Sequence, residues 1–318
     1  MAVISGNGNP NGTFANDPLQ KFTENQIALD GFNGLFAEDL LNGGGDVLPD
    51  NGTSDSDIIQ GNTSPNRIGN DFSELMLGTA DNNEFFGRAG DDTLMGFAGF
   101  DTLKGELGND SLRGGDDADL LDGGDGADFL AGEKGNDTML GGSGNDLFEW
   151  VDGDGSDLIQ GGDGIDNLLF NGSVTQGDRI SLGQSGSDIL LQRTNLVPAT
   201  LNIQGIERFN AINGGGGDDE LTVSNLDATS GVEFIKFAGG DGNDRLISSN
   251  VSANFDASGG NGNDFWRAVT GMTLCWAIEE MTLFRGNGND RIQGAESSNL
   301  GRGEIDVLIG ARAEILLC

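Results

Sequence analysis

The amino-acid sequence predicts an all-β protein in which short parallel strands stack into a roll. Three observations support this fold class. Seven consecutive nine-residue units carry glycine, aspartate and a large apolar residue at fixed positions. Glycine accounts for 56 of the 318 residues and proline for only 5, which excludes a collagen-like chain. Hydrophobic residues make up only 36 % of the chain, so the interior of the roll has to be thin.

The seven units follow one another without a break. Position 1 is glycine and position 6 is aspartate in every unit. The units begin at Gly87, Gly96, Gly105, Gly114, Gly123, Gly132 and Gly141. Position 8 is occupied by Leu94, Leu103, Leu112, Leu121, Leu130, Met139 and Phe148. Chance agreement of this kind is on the order of 10⁻¹², so the pattern is a structural repeat and not generic low complexity.

Further copies extend the repeat in both directions. Upstream, the unit from Gly78 carries Asn83 at position 6, residues 52–60 fit the pattern, and residues 61–69 fit it poorly. After the insertion Trp150-Val151, two more units begin at Asp152 and Gly161. Isolated copies begin downstream at Gly214, Gly239, Gly259, Arg285 and Gly301. In the copy from Gly259, we expect Trp266 at the apolar position to fill the core.

The nine-residue period has a physical interpretation. The six glycine-rich positions favour tight turns, because glycine adopts positive φ without a steric penalty. The triplet that follows, such as residues 93–95, forms a minimal strand whose central side chain points inward. Two units therefore make one coil of a turn, a strand, a turn and a strand, and successive coils lie about 4.8 Å apart.

Stacked coils place the position-6 aspartates in one column at each edge of the roll. One column contains Asp92, Asp110, Asp128 and Asp146, and the other contains Asp101, Asp119 and Asp137. Two carboxylates about 4.8 Å apart repel by about 0.9 kcal/mol in water and by about 3.5 kcal/mol at an effective dielectric of about 20. Calcium reverses that sign because it takes 6–8 oxygen ligands, whereas magnesium demands a rigid octahedron. The alternative is a solvated acidic face without bound ions.

The pattern G-G-x-G-x-D-x-U-x, with U a large apolar residue, resembles the RTX (haemolysin-type) calcium-binding repeat. The clear match covers residues 78–169, with scattered copies to about residue 309. The resemblance implies a right-handed parallel β-roll with a β-rich spacer and a second, interrupted repeat block. It also implies several Ca²⁺ ions between successive turns of one edge, five of them in the seven-unit run. Their ligands would be position-6 carboxylates and the carbonyls of positions 2 and 4.

The residues implied as metal ligands fall into three sets. The carbonyls of position 2 belong to Arg88, Phe97, Glu106, Gly115, Gly124, Glu133 and Gly142. Those of position 4 belong to Gly90, Gly99, Gly108, Asp117, Gly126, Gly135 and Gly144. The carboxylates belong to Asp92, Asp101, Asp110, Asp119, Asp128, Asp137 and Asp146, with Asp157, Asp166, Asp219, Asp244, Asp264 and Asp290 outside the run.

Composition argues against several other functions. The formal charge of −36 disfavours nucleic acid and anionic membranes, because phosphate binding needs clustered lysine and arginine. The chain contains neither histidine nor tyrosine, which excludes Ser-His-Asp catalysis and histidine-dependent metal sites. Glu279 and Glu280 could in principle perform glycoside chemistry, but adjacent acids are expected in so acidic a chain. We therefore expect no enzyme. Cys275 and Cys318 form neither a disulfide framework nor a zinc motif.

The chain divides into four parts by sequence. Residues 1–51 have no readable role, although a helix is predicted around Leu19–Leu41. Residues 52–169 form the repeat block, 170–213 a β-rich spacer, and 214–318 a second, interrupted block. Two interpretations stay open for the final ARAEILLC: a frameshift that truncated a longer protein, or ordinary divergence at a chain end.

These observations lead to an expectation about function. The chain has no segment of 18 apolar residues and no basic, apolar start typical of a signal peptide. We expect a secreted, extracellular calcium-binding protein, exported without a leader through a type I system as the resemblance implies. The alternatives are the non-catalytic portion of a secreted hydrolase, or of an adhesin or surface-layer protein. A cell-surface or matrix partner is not identified by the sequence.

Overall fold

The computed structural model describes residues 66–269 without interruption. Beyond that range it describes the backbone of five short strands, residues 40–42, 58–60, 284–287, 289–293 and 312–316. Every regular element in these described residues is a β-strand. The described residues therefore contain no helix that could cross a membrane.

The strands are short and follow one another closely along the chain. In chain order they are β1 (Leu40–Asn42), β2 (Ile58–Gln60), β3 (Asn66–Ile68), β4 (Leu75–Thr79), β5 (Glu84–Ala89), β6 (Thr93–Ala98), β7 (Thr102–Leu107), β8 (Ser111–Asp116), β9 (Leu120–Asp125), β10 (Phe129–Lys134), β11 (Thr138–Ser143), β12 (Leu147–Val151), β13 (Leu158–Asp163), β14 (Asn167–Asn171), β15 (Arg179–Ser185), β16 (Asp188–Arg193), β17 (Ala199–Gln204), β18 (Arg208–Gly216), β19 (Glu220–Leu226), β20 (Phe234–Asp241), β21 (Arg245–Val251), β22 (Asn254–Asn261), β23 (Phe265–Val269), β24 (Phe284–Asn287), β25 (Asn289–Gln293) and β26 (Arg312–Leu316).

The chain alternates between two sheets, as the predicted coils require. The first sheet has the order β1-β2-β4-β6-β8-β10-β12-β14-β18-β20-β22-β24. The second has the order β26-β25-β23-β21-β19-β15-β16-β17-β13-β11-β9-β7-β5-β3. Within the repeats, each strand pairs in parallel with the strand two units later, so that Leu94 lies opposite Leu112 and Leu112 opposite Leu130. The predicted parallel β-roll is confirmed.

The strands are longer than the predicted triplets. β6 to β11 each contain six residues, from position 7 of one unit to position 3 of the next. The strand does not end at the glycine of position 1. The residues at positions 2 and 3, such as Phe97 and Ala98, continue the parallel pairing with the next coil. The amide of position 4 then donates to the position-3 carbonyl one coil further on, as in the 2.9 Å bond from Gly108 to Asp125. The turn proper is therefore only three residues long.

The core is a single thin layer between the sheets. The predicted inward residues at position 8, from Leu94 to Phe148, are all fully buried. Beyond the run, Trp150 stacks on Phe170 with ring centroids 4.3 Å apart and planes 4° apart. Trp266 is buried beside Phe255, which confirms its predicted place in the core.

Residues 170–213 contribute strands to the same two sheets. The segment forms the antiparallel pairs β15–β16 and β16–β17 in the second sheet, and β17 pairs in parallel with β13. On the other side of these three strands, β15 pairs in parallel with β19, which belongs to the second block. The described roll therefore runs from the first repeat block into the second without a break in either sheet. The four-part division of the chain remains a prediction about sequence blocks.

Two predictions upstream of the run need correction. β1 begins at Leu40, so the predicted helix cannot extend through Leu41, and the rest of that helix lies outside the described residues. The poor fit of residues 61–69 has a structural cause: the next unit begins at Gly69, leaving only eight residues after Gln60. The cysteines, Glu279, Glu280 and the copy from Gly301 also lie outside the described residues.

We predict that Gly123→Ala destabilises the roll by about 3 kcal/mol, because a Cβ there would overlap Asp128 Oδ2 and come within 2.7 Å of the Gly141 carbonyl oxygen. Thermal unfolding in saturating calcium measures the effect. Gly153→Ala is the matched control, since its φ of 107° is unfavourable for alanine but no atom lies within 4 Å of the new Cβ. Equal losses in the two variants would contradict the steric explanation.

Candidate metal centre

The position-6 aspartates form two columns, one at each edge of the roll. Their side chains are at most 4 % exposed. The turns that lead into the first sheet carry Asp92, Asp110, Asp128, Asp146 and Asp166. The turns that lead into the second sheet carry Asp101, Asp119, Asp137 and Asp157, and further along Asp219, Asp244 and Asp264. The structure thus brings together the predicted carboxylates whose side chains it describes. The side chain of Asp290 lies outside the described residues.

A hydrogen-bond ladder fixes the spacing of each column. The Oδ1 atom of Asp110 accepts the backbone N–H of Asp92 at 2.7 Å, and the Oδ1 of Asp128 accepts that of Asp110 at 2.7 Å. The same bond links Asp219 to Asp244 at 2.9 Å, although these two residues are 25 apart in sequence. The backbone carbonyls of the column aspartates from Asp92 to Asp244 also accept an amide from the next coil. Each position-6 residue is therefore held by both of its neighbours.

In ten of these aspartates the second carboxylate oxygen has no such partner. Among the described residues, the buried Oδ2 atoms that accept no hydrogen bond are those of Asp92, Asp101, Asp110, Asp119, Asp128, Asp137, Asp146, Asp166, Asp219 and Asp244. Each lies beside the glycine that opens its own unit. In the units from Gly87 to Gly141, a backbone carbonyl oxygen of the following coil generally lies on the same side of that glycine. Oxygen acceptors therefore accumulate where no donor is placed, which is an environment that suits a cation.

The predicted carbonyl donors lie on the same edges. Position 2 has positive φ throughout the run, including at Arg88, Phe97 and Glu106. Side chains rarely adopt this conformation, and it costs about 1–2 kcal/mol at each such residue. At position 4, the carbonyl oxygens of Gly90, Gly108 and Gly126 face the position-4 glycine of the next coil so closely that a side chain there would overlap them. The predicted carbonyls thus line the gaps between successive turns.

Burial raises the pKa of the column aspartates in the calcium-free fold. The pKa of Asp119 rises to about 8, mainly by desolvation and further by the neighbouring charges of Asp137 and Asp101. Desolvation raises the pKa of Asp92 and Asp219 to about 7 and that of Asp110 and Asp128 to about 6. Unneutralised carboxylates therefore oppose this fold at neutral pH.

The described residues contain no group of three or more acidic, histidine or cysteine side chains that could hold a metal by themselves. A cation in a column would instead lie against the carboxylates of two successive coils and the backbone carbonyls between them. This combination of hard oxygen donors is the one that calcium prefers. The orphaned Oδ2 atoms and the aligned carbonyls therefore fit calcium.

Sequence reasoning missed three acidic residues in the columns. Glu74 takes position 6 in the unit from Gly69, and its amide donates to Asp92 Oδ1 at 2.6 Å. Glu207 continues the same column at its other end, where its Oε2 accepts the Asp166 amide at 2.9 Å. Extending the nine-residue register with glutamate allowed at position 6 would have found Glu74. Asp178 follows a turn that is one residue longer than a repeat turn, so the fixed spacing could not find it.

In the described part of the second block, buried column aspartates lie at one edge only, unlike in the first block. Asp219, Asp244 and Asp264 precede strands of the second sheet, as in the first block. At the opposite edge, the side chains of Leu226 and Val251 lie opposite each other and are buried. Beside them the Asn250 side-chain amide donates to that of Asn225 at 3.4 Å. Each isolated copy downstream therefore forms the turn at one edge of a coil. The sequence between two copies forms the turn at the opposite edge.

Acid should stabilise the calcium-free fold. The column aspartates have folded-state pKa values near 6 to 8, above the ordinary 3.8, so the folded state binds protons more tightly than the unfolded state. That stability is fully present below about pH 4 and is lost as pH rises through 6 to 8. We expect calcium-free protein to gain β-structure by circular dichroism when the pH falls from 8 to 5.

The neutral variant Asp119→Asn should weaken this pH dependence, because it removes the group with the most strongly raised pKa. Asp163→Asn, at the exposed end of β13, should leave it unchanged. A calcium-free spectrum that shows less structure at pH 5 than at pH 8 would contradict the interpretation.

Comparison with known protein families agrees with this geometry. The model of the RTX calcium-binding nonapeptide repeat, which comprises four copies, matches three overlapping ranges: 68–103, 95–130 and 113–148. The first range begins next to Gly69, where the structure places the unit that contains Glu74. No curated protein matches the chain. Residues 68–148 of this chain are RTX calcium-binding nonapeptide repeats.

Proposed function

We propose that this protein is a secreted, non-enzymatic calcium-binding protein whose repeats fold when they bind Ca²⁺ outside the cell. The observation that carries the proposal is the set of buried Oδ2 atoms without a hydrogen-bond donor, aligned at both edges of the roll. Leaving a buried charged oxygen unpaired costs several kcal/mol, and a divalent cation between two such oxygens removes that penalty. A non-enzymatic role agrees with a sequence that contains neither histidine nor tyrosine.

Each ion would lie between two successive aspartates of one column. Five such pairs belong to the seven-unit run: 92/110, 101/119, 110/128, 119/137 and 128/146. Four further pairs with the same amide-to-Oδ1 bond qualify: 137/157, 146/166, 219/244 and 244/264. The pair 178/219 also has this bond but is not counted, because both carboxylate oxygens of Asp178 are already hydrogen-bonded. We therefore propose nine calcium positions, with the carbonyls of positions 2 and 4 completing the ligand sets in the run.

Charge and composition support coupling between calcium binding and folding. The chain carries a formal charge of −36 with 36 % hydrophobic residues, whereas ordering the backbone costs about 1–2 kcal/mol per residue. Nine divalent ions would neutralise half of that charge and cross-link neighbouring turns. Calcium sites in extracellular modules bind at about 10⁻⁴–10⁻³ M, so the chain would stay unfolded in the cytosol and fold after export.

Export through a type I system is part of the proposal. RTX repeat proteins are typically secreted. A chain that stays unfolded until it meets millimolar calcium remains threadable during transport, and the ions outside then stabilise the folded product by mass action. Recovery of the full-length, unprocessed chain from the culture medium of its natural source supports this export, and exclusive recovery from the cytoplasm rejects it.

Calcium should switch the chain from a coil-like to a β-rich state. We predict that circular dichroism in excess chelator shows little β-structure, and that β-signal appears cooperatively as calcium approaches the millimolar range. Asp119→Ala should raise the calcium midpoint, because Asp119 belongs to two of the proposed sites. Asp163→Ala, at an exposed position, should not. An unchanged β-rich spectrum in excess chelator at neutral pH would reject the proposed function.

The number and type of bound ions give a second test. Equilibrium dialysis at saturating calcium should approach nine ions per chain, and magnesium at the same concentration should not produce the folded spectrum, because it demands octahedral geometry. Asp244→Asn should reduce calcium binding while leaving the first block folded, since Asp244 lies in the second block alone. Binding of five ions with no effect of Asp244→Asn would confine calcium to the seven-unit run.

A further inference from the structure

The column of aspartates along the second sheet is interrupted between Asp157 and Asp178. In the first sheet β12 and β14 are direct neighbours, but in the second sheet β16 and β17 lie between β13 and β15. Two extra strand spacings, each about 4.8 Å, therefore separate the turn before β13 from the turn before β15. Asp157 and Asp178 cannot share an ion across this gap as neighbouring column members would.

Arg193 lies in this gap. It is the last residue of β16, which runs antiparallel to its neighbours, so its side chain emerges at the aspartate edge. The guanidinium is fully buried. Its Nη1 lies 3.5 Å from Asp178 Oδ1 and 2.5 Å from Asp152 Oδ1. Its Nε donates to the Val197 carbonyl at 3.0 Å, and the group lies 4.9 Å from the centre of the Trp150 ring.

The oxygen atoms at this junction have donors, unlike the Oδ2 atoms of the ten column aspartates that accept no hydrogen bond. Both carboxylate oxygens of Asp178 are bonded: Oδ1 faces Arg193, and Oδ2 accepts the Ser173 amide at 2.7 Å. The position-4 carbonyl of Gly155 accepts the Trp150 indole N–H at 3.0 Å. Elsewhere in the columns, the aspartate Oδ2 atoms that face only acceptors make the environment of a cation. Here the chain supplies its own cation and its own donor.

We propose that Arg193 occupies the cation position at this junction, so that the chain joins its two calcium-binding blocks with a guanidinium in place of a calcium ion. Asp178 still connects to the column beyond, since its amide donates to Asp219 Oδ1 at 2.5 Å. The staple formed by Arg193, Asp178 and Asp152 therefore holds the inserted strands to the second block in the folded chain without an ion at this position. This inference rests on the proposed calcium positions in the columns.

The test compares two aspartates of the same column in the full-length chain. Thermal unfolding midpoints are measured between 0.5 and 20 mM calcium for the wild type, Asp178→Asn, Asp137→Asn, Arg193→Gln and the double variant Arg193→Gln/Asp178→Asn. Asp137 is the matched control, because its backbone amide, like that of Asp178, donates to the Oδ1 of the next column aspartate, at 2.9 Å to Asp157, but its carboxylate lies in the proposed calcium sites. A weakened calcium site gains less stability from each increment of calcium, so its deficit grows as calcium rises until the site saturates.

We expect Asp178→Asn to lower the midpoint by roughly 5–15 °C, with the same deficit at every calcium concentration. The deficit of Asp137→Asn should instead grow with calcium. The double variant Arg193→Gln/Asp178→Asn should lose less than the sum of the two single variants, because removing both partners leaves no buried unpaired charge between them.

Each outcome decides one of the two proposals. A deficit of Asp178→Asn that grows with calcium, or additive losses in the double variant, would overturn the role of Arg193. A deficit of Asp137→Asn that is independent of calcium would instead reject the proposed calcium columns. If Asp178→Asn does not fold, Asp152→Asn replaces it, because Asp152 is 38 % exposed and tolerates a neutral side chain. A constant deficit then supports the staple, and a growing deficit overturns it.

Discussion

The structure depends on carboxylates that are buried one above another, with one oxygen hydrogen-bonded and the other unsatisfied. At the spacing of stacked strands, such groups repel by several kcal/mol per pair unless a cation lies between them. The bonded oxygen fixes the stacking, because each Oδ1 accepts the amide of the preceding coil. The other oxygen, Oδ2, is buried without a hydrogen-bond donor, so a cation beside it would stabilise the fold. One residue type thus sets both the register of the roll and its dependence on a divalent ion.

The remaining positions of the repeat follow from this arrangement. Glycine is needed at position 1 because a Cβ would displace the Oδ2 atom of its own unit, as at Gly105 and Asp110. Glycine recurs at position 4 because the carbonyl of the previous coil leaves no room for a side chain. Only position 8 is free to build the core, and its side chains are fully buried. A core of one inward residue per strand is thin, so ions at the edges carry a large share of the stabilisation.

The same logic explains what the sequence could predict. In the seven-unit run each position has one physical task, so a fixed period predicts the sheet pairing, the inward side chains and both columns. It did not predict that strands continue through position 3, because glycine content alone favours a turn. The missing Cβ instead lets neighbouring coils approach and continue the ladder. The register at Gly69 escaped detection because the preceding segment contains eight residues and Glu74 stands where aspartate was expected.

Arg193 shows the limit of such reasoning. In the sequence it ends an alternating polar and apolar segment and resembles any solvent-facing charge of a short strand. It meets Asp178, 15 residues earlier, only because β16 runs against the direction of its neighbours, and it meets Asp152, 41 residues earlier, only because β17 returns to β13. The inserted strands β16 and β17 separate Asp157 from Asp178 too widely for a shared ion, and the same strands place Arg193 in that gap. The insertion therefore explains both the interrupted period and the buried arginine.

The two blocks on either side of Arg193 also differ in how their edges are held. The first has buried aspartate columns at both edges, whereas the described part of the second has one such column and, at its other edge, buried Leu226 and Val251. An apolar edge gains stability from desolvation and needs no ion. Under the proposed function, the second block therefore depends less on calcium per coil than the first. The arginine staple joins a strongly calcium-dependent segment to one that is partly held by ordinary burial.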